Sequence, residues 1–446
     1  MDYSQLGVLI VGVTIILSYK HIRLLISKFT SGKQVKEKVS SNEKKQPLYG
    51  SDEPLPEPTP LMITPEQVEN YDDRPWRPFR WPYHQTMSIF KLDINHWLDM
   101  DKYYIHYIKE KERIRHKYGK ENFDWLPEGY DACFELMETV VNHLVKRYPL
   151  LFTVLQDGDY ESGQNGCGKI IRNEITKEVL DMTLPLKDHP LIYVSKLAKE
   201  DFYVVLKNPK DGLHYLVAAA VPFPGGTFSI DKKIGNHIDT IHAEVPYYKE
   251  KLKRSMERWL HRMKPNEPVE RASWYITWDV NLKVNSVYQI PEFRPNLEAD
   301  MKSTDPKHFN VRIERQTLRR LPKSQAIIFT NHPVFYSLEE MQDEPMIPSL
   351  LKKILYEGPE DILKYKNMPL IRDHLVGYLD ELIQRQKDLK IIDDETPLKT
   401  QPTYPFAHWV KTDFDYINGW NNPSPAYDKN QMKTDLYKHK PLAENE

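Results

Sequence analysis

The chain has 446 residues, with 62 Lys and Arg against 64 Asp and Glu, and only two cysteines, Cys133 and Cys167. That length supports a large core without staples. Two cysteines exclude a disulfide scaffold, a four-thiolate zinc site and a protein-held iron–sulfur cluster, and they read as a reducing compartment. A near-neutral charge with no densely basic stretch in the folded region excludes an electrostatic nucleic-acid binder.

From the N-terminus, Leu6–Tyr19 is an uncharged apolar run, and apolar residues resume at Ile22, Leu24, Leu25 and Ile26 after Lys20, His21 and Arg23. A membrane span takes about 20 residues, which the run approaches if Lys20 and Arg23 snorkel. Asp2 precedes it, whereas a secretory signal has its positive charge first. Six lysines between Lys28 and Lys45 follow it, so the positive-inside tendency leaves the bulk of the chain on the cytosolic side. Residues 1–26 are therefore read as a single-pass membrane anchor, with a mitochondrial targeting helix as the alternative. Residues 27–65, polar and then rich in proline, read as a disordered, extended tether. A folded block spans 66–420, and a flexible tail 421–446.

Within the block, Cys133, Leu136, Met137, Val140, Val141, Leu144, Val145 and Tyr148 recur at three- and four-residue steps, predicting a helix over Asp131–Tyr148 that Pro149 ends. The segment Gly163–Lys169 has phosphate-loop spacing, but Ile170 stands where Ser or Thr would hold magnesium, and no strand precedes it. Asp201–Lys207 and His214–Val221 flank Asn208-Pro209-Lys210-Asp211-Gly212, a hairpin by its turn chemistry. A helix is predicted over Pro246–Met263, its Lys249, Lys251, Lys253, Arg254, Arg258 and Arg262 forming a solvated face. Strands are predicted at Ser273–Val280, Asn310–Leu318 and Gln325–Thr330. Strands clustered between helices without alternation favour an α+β fold built on an antiparallel sheet with flanking helices, in one large domain.

Two segments resist explanation by packing. The stretch from Pro224 to Pro246 opens with Gly225-Gly226 and carries His237 and His242 ahead of a helix. On the strand Asn310–Leu318, period two puts Arg312, Glu314 and Gln316 on one face, with Arg319 and Arg320 following. Buried, such a row needs partners of its own or a polar ligand; on an edge strand it is simply a wet face.

These segments resemble the family of the haem-dependent oxidative N-demethylase alpha subunit. The resemblance runs from about Arg74 to Phe335 through Arg77-Pro78, Leu92-Asp93, Trp97, Arg147-Tyr148-Pro149, Glu200-Asp201-Phe202, Lys232 to Gly235, Ile241-His242 with Val245-Pro246, and Arg312 through Pro322. It implies a PAS-like sheet that holds haem b and oxidises a secondary amine, dimethylamine in the bacterial system, releasing formaldehyde. Electrons then arrive from a separate reductase. Under that resemblance His242 is assigned first as the iron ligand and His237 second; Lys232 belongs to the cofactor-binding set, and Arg312, Arg319 and Arg320 pair with propionates. Glu314 orients or deprotonates the ammonium substrate, with Gln316 beside it. The chain departs from the bacterial pattern at Gly225, Phe228 and Glu244, which bears on substrate choice. A haem- or ligand-sensing module without turnover, and a scaffold that has lost the cofactor, are the alternatives.

Overall fold

The computed structural model describes residues 53–225, 230–283 and 296–410. The proposed anchor, the tether before residue 53 and the C-terminal tail lie outside the described residues. Among the described residues no helix is long and apolar enough to cross a membrane.

Ten strands are described: β1 (Phe90–Lys91), β2 (Phe123–Trp125), β3 (Phe152–Gln156), β4 (Gly168–Asn173), β5 (Val179–Thr183), β6 (Asp201–Lys207), β7 (His214–Ala220), β8 (Val269–Thr277), β9 (Asn310–Arg320) and β10 (Ile327–Ser337). Seven form one antiparallel sheet in the order β1-β8-β9-β10-β6-β7-β2, and β3-β4-β5 form a smaller one. The fold is thus α+β on a large antiparallel sheet. The β6–β7 hairpin lies where the Asn208–Gly212 turn predicts it. The phosphate-loop lookalike runs from the exposed connection after β3 into the first two residues of β4, Gly168 and Lys169. β8 begins and ends earlier than its sequence suggests, and β10 continues through Pro333. Proline is tolerated there because β6 pairs with β10 only as far as Asn331, leaving no ladder bond for Pro333 to donate on that side.

The long helices are α1 (Tyr104–Tyr118), α2 (Tyr130–Arg147), α3 (Pro190–Leu197), α4 (Lys253–Arg262), α5 (Ile347–Glu357) and α6 (Met368–Asp388). The register puts alternate side chains of each strand on opposite faces. On the back face, Phe202, Val204, Ala218 and Ile328 join α2 and α3 in one core, while Trp274, Ile276, Val311, Ile313, Val334 and Tyr336 join α5 and α6 in another. A buried polar seam accompanies them: Arg315 lies 3.3 Å from Asp99, and Arg74 2.5 Å from Glu270. Asp99, together with Asp101 paired to Lys199, is thus a structural carboxylate.

The proline-rich end of the tether is extended but not loose. Leu61 and Ile63 are buried in the α2–α3 core, and Leu61 N–H donates to Arg147 O at 2.6 Å. These two aliphatic residues give the segment apolar area to bury, which polar composition alone does not reveal. The helix predicted over Pro246–Met263 is shorter, because Tyr247 sits in the left-handed region (φ 59°) and one wide turn, Tyr248–Leu252, precedes α4.

Candidate functional site

Around the site the front face of the sheet is covered by connecting segments and by α4. The register makes Arg271, Ser273 and Tyr275 of β8, Arg312, Glu314, Gln316 and Leu318 of β9, Phe329 and Asn331 of β10, and Tyr203 and Val205 of β6 share this face. Residues 83–89 and 238–260 arch over it and enclose a cavity of about 350 Å³, within the range of small-molecule sites. From the arch, Ile238, Ile241, Val245, Tyr248, Met256 and Trp259 supply apolar wall.

His242 faces this cavity. It ends the short helix Ile238–Ile241, whose turn brings the ring back onto its own backbone: Nδ1 lies 2.9 Å from Ile238 O. A carbonyl only accepts, so Nδ1 carries the proton and Nε2 keeps its lone pair. Nε2 has no hydrogen-bond partner among the described residues. Tyr248 lies over the imidazole with ring centroids 5.5 Å apart, and its hydroxyl donates to Asp239 at 2.5 Å. Burial lowers the His242 pKa below the ordinary imidazole value; the Ile238 bond opposes this, while the charges of Arg271 and Lys233 add to it. The ring is accordingly neutral, the form that binds iron.

The same cavity is bordered by a buried polar cluster. Arg312 Nε donates to Glu314 Oε1 at 2.6 Å, Asn331 Nδ2 to Glu314 Oε2 at 2.6 Å, and Tyr275 OH to Oε1 at 3.4 Å. Arg312 also donates to the carbonyls of Asn281 and Leu282 at 2.7 and 3.0 Å, pinning the loop after β8. Gly225 approaches so closely that a Cβ there would stand 2.9 Å from Glu314 Cδ. Asn331 Oδ1 is buried with no hydrogen-bond partner among the described residues, and Asn331 lines the cavity. Burial drives the hydroxyl of neighbouring Tyr203 well above the ordinary phenol pKa, with the charges of Asp201 and Glu314 adding to the rise, so it stays protonated.

A third group is cationic. Arg80, Arg271, Lys233 and Lys366 line the cavity. Lys233 Nζ donates to Ile241 O at 3.0 Å, and Lys366 Nζ to Trp274 O at 2.5 Å.

The sequence-predicted residues divide accordingly. His242, Glu314 and Gln316 line one cavity. His237 does not: as N-cap of Ile238–Ile241 it accepts from Asp239 N–H at 3.3 Å and borders a separate crevice near His261. Lys232 is exposed, and its neighbour Lys233 takes the wall position, because the two stand on different sides of a one-turn helix. Arg312 lies behind Glu314 as its ion-pair partner and is not on the cavity wall. Arg319 is a correction by strand parity: an odd residue of β9, it sits on the back face with its guanidinium 4.5 Å from the centre of the Trp97 ring. Arg320 is on the front side, but its guanidinium is taken by the carbonyls of Gln325 and Leu260. None of these three arginines is placed to reach a ligand in the cavity. Asn331, Tyr203, Arg80, Arg271, Lys233 and Lys366 were missed, since they come from segments far apart in sequence with no shared motif.

Among the described residues no group of three or more His, Cys, Asp or Glu side chains is arranged to hold a bare metal ion. The family model described as "Haem-dependent oxidative N-demethylase, alpha subunit-like" matches residues 88–376. The match takes in β8, β9 and β10, His242 and the Glu314 cluster.

Proposed function

Because this chain belongs to the haem-dependent oxidative N-demethylase alpha-subunit-like family, and because its cavity presents a neutral imidazole, we propose that it is a haem-dependent oxidoreductase that removes a methyl group from a small amine. The observation that carries this is His242. Its Nδ1–H is engaged by Ile238 O at 2.9 Å, which fixes ring orientation and tautomer and leaves Nε2 as a ligand on the cavity wall. A haem needs only one or two protein ligands because the macrocycle supplies the other four, so a lone histidine over an apolar wall fits the group. Bound there, haem b would supply the activation of oxygen with electrons from a separate reductase.

The remaining steps belong to side chains of this chain. Asn331 Oδ1, buried and without a partner among the described residues, accepts from the N–H of the amine, while its Nδ2 is held by Glu314. Glu314, balanced by Arg312, keeps a negative pole that favours an amine over an anion beside it. Gln316 on the adjacent strand position lines the same floor. Tyr248, Trp259, Met256 and Phe329 exclude water from the space between. The antiparallel sheet with one ligand-bearing face supports the PAS-like description. The uncharged run Leu6–Tyr19 and the lysines after it support attachment to a membrane with the bulk of the chain in the cytosol.

The test is turnover: full-length protein loaded with haem, supplied with a reductase, oxygen and dimethylamine or N-methylated analogues, should release formaldehyde in step with oxygen consumption. A ligand-dependent shift of the haem spectrum with no aldehyde from any of these amines would overturn the enzyme reading in favour of a sensor.

A further inference from the structure

Four buried arginines in this fold are matched by carboxylates, whereas buried Lys111 and Arg320 are held by backbone carbonyls. Arg74 pairs with Glu270 at 2.5 Å, Arg77 with Glu344 at 2.5 Å, Arg312 with Glu314 at 2.6 Å and Arg315 with Asp99 at 3.3 Å. Half-buried Arg80 and Arg271 and buried Lys366 differ from both groups in standing together at one site. All three line the one cavity, and among the described residues none forms an ion pair with a carboxylate. Arg271 Nε is buried without a hydrogen-bond partner among the described residues. Lys366 reaches the carbonyl of Trp274 on β8, a neutral acceptor that leaves its charge uncompensated.

The electrostatics agree with mutual proximity. Burial, then the charges of Arg271 and Arg80, bring the Lys366 pKa down to about 7. Arg271 is likewise lowered, first by burial and further by Arg80, with Tyr404 opposing. Three like charges gathered beside a cavity disfavour one another and each gains from an anion placed among them. The Tyr404 hydroxyl, 2.7 Å from Ser88 Oγ, adds a neutral donor to the same wall. The three cations also come from unrelated parts of the chain, the 78–89 segment, β8 and the turn before α6. A shared ligand therefore has more to explain here than a single local motif would.

We propose that Arg80, Arg271 and Lys366 form a carboxylate-binding pole of the cavity, and that it holds the propionates of the haem that His242 would ligate. This rests on the haem reading above. Guanidinium forks suit paired carboxylate oxygens, and the ammonium of Lys366 provides a point charge beside them. The pole replaces the arginines of β9 in that role, since Arg312 and Arg320 are consumed internally and Arg319 lies across the sheet.

The experiment compares iron protoporphyrin IX with its dimethyl ester, which keeps the iron and the macrocycle but has no carboxylates. Both are titrated into the full-length protein, its Arg271→Gln and Lys366→Gln variants, and Lys366→Arg as the charge-preserving control, with the Soret band and the rate of transfer to an apo-globin as readouts. The wild type should bind the diacid about tenfold or more tightly than the ester, consistent with roughly 1.4 kcal/mol per tenfold. Each Gln variant should lose about tenfold for the diacid and nothing for the ester, and Lys366→Arg should recover most of the loss. Variants that weaken acid and ester alike, or equal wild-type affinity for both, overturn the pole while leaving the haem reading intact. Gln variants that bind the diacid normally, but need more of an N-methyl amino acid and not of dimethylamine for half-maximal turnover, also overturn it and assign the cations to a substrate carboxylate. No Soret band with either porphyrin overturns the haem reading itself, and this inference with it.

Discussion

Replacing Glu314 with Gln tests how the cavity floor is held together. The Arg312 side chain is 0% exposed and that of Glu314 4%, with Nε and Oε1 2.6 Å apart. Glu314 spends its two oxygens on separate donors, Oε1 on Arg312 and Oε2 on Asn331 at 2.6 Å. An amide offers one oxygen, so Glu314→Gln must turn an N–H toward either Arg312 or Asn331 and leaves the guanidinium charge unbalanced. Breaking one partner of a buried pair costs about 3–5 kcal/mol. Arg312 retains the carbonyls of Asn281 and Leu282 at 2.7 and 3.0 Å, which places the expected loss near the lower end, about 3 kcal/mol. Urea unfolding followed by tryptophan fluorescence measures it. The double variant Arg312→Met with Glu314→Gln should recover more than half of the loss, because the charge that lacked a partner is gone. A Glu314→Gln protein within about 1 kcal/mol of wild type would refute the reasoning, as would a double variant less stable than the single one.

Three other outcomes follow from the same geometry. Gly225→Ala puts a Cβ 2.9 Å from Glu314 Cδ and 3.1 Å from Oε2, and because Glu314 is clamped on both oxygens the clash costs about 1–3 kcal/mol in the same unfolding assay. Arg319→Met should weaken stability by about 1 kcal/mol through loss of the Trp97 contact while leaving haem affinity unchanged, which a porphyrin titration checks. His143, edge-on to Trp97 at 5.1 Å with its Nε2 unpartnered among the described residues, has its pKa lowered to about 3 by burial and then by Arg319 and Arg147, against an opposing effect of Asp99. The unfolded chain binds a proton there below about pH 6.5 that the folded protein refuses, so stability falls as pH drops from about 6.5 toward 3. His143→Phe should flatten that part of the profile, and an unchanged acid limb would assign the effect to other groups.

Much of the scaffold is legible in the sequence because it depends on local pattern. The apolar spacing through Leu136, Val140 and Leu144 marks α2, whose observed bounds are Tyr130–Arg147. The alternation in β9 separates Glu314 and Gln316 from Val311 and Ile313. The same rule, followed further along the strand, sends Arg319 to the back face and Arg320 to the front, so the two adjacent arginines cannot serve one ligand. Asn331 escaped because the predicted strand stopped at Thr330, one residue short, whereas β10 runs on to Ser337. Arg80, Arg271 and Lys366 carry no joint signature at all: their meeting depends on how the 78–89 segment and the turn before α6 close over β8, which no local period encodes. Lys232 and Lys233 differ only in which side of one helical turn they occupy, a distinction that boundary-level reading of four residues cannot make.

Haem binding as proposed would require one bond above all others, that between the Nε2 atom of His242 and the iron of the porphyrin. The direct measurement is the visible and electron paramagnetic resonance spectrum of the full-length protein reconstituted with haem, as wild type, His242→Gly and His237→Ala. The wild type and His237→Ala should share an imidazole-ligated spectrum, His242→Gly should lose it, and added imidazole should restore it by filling the space left behind. A His242→Gly protein whose spectrum matches wild type without imidazole would contradict the account.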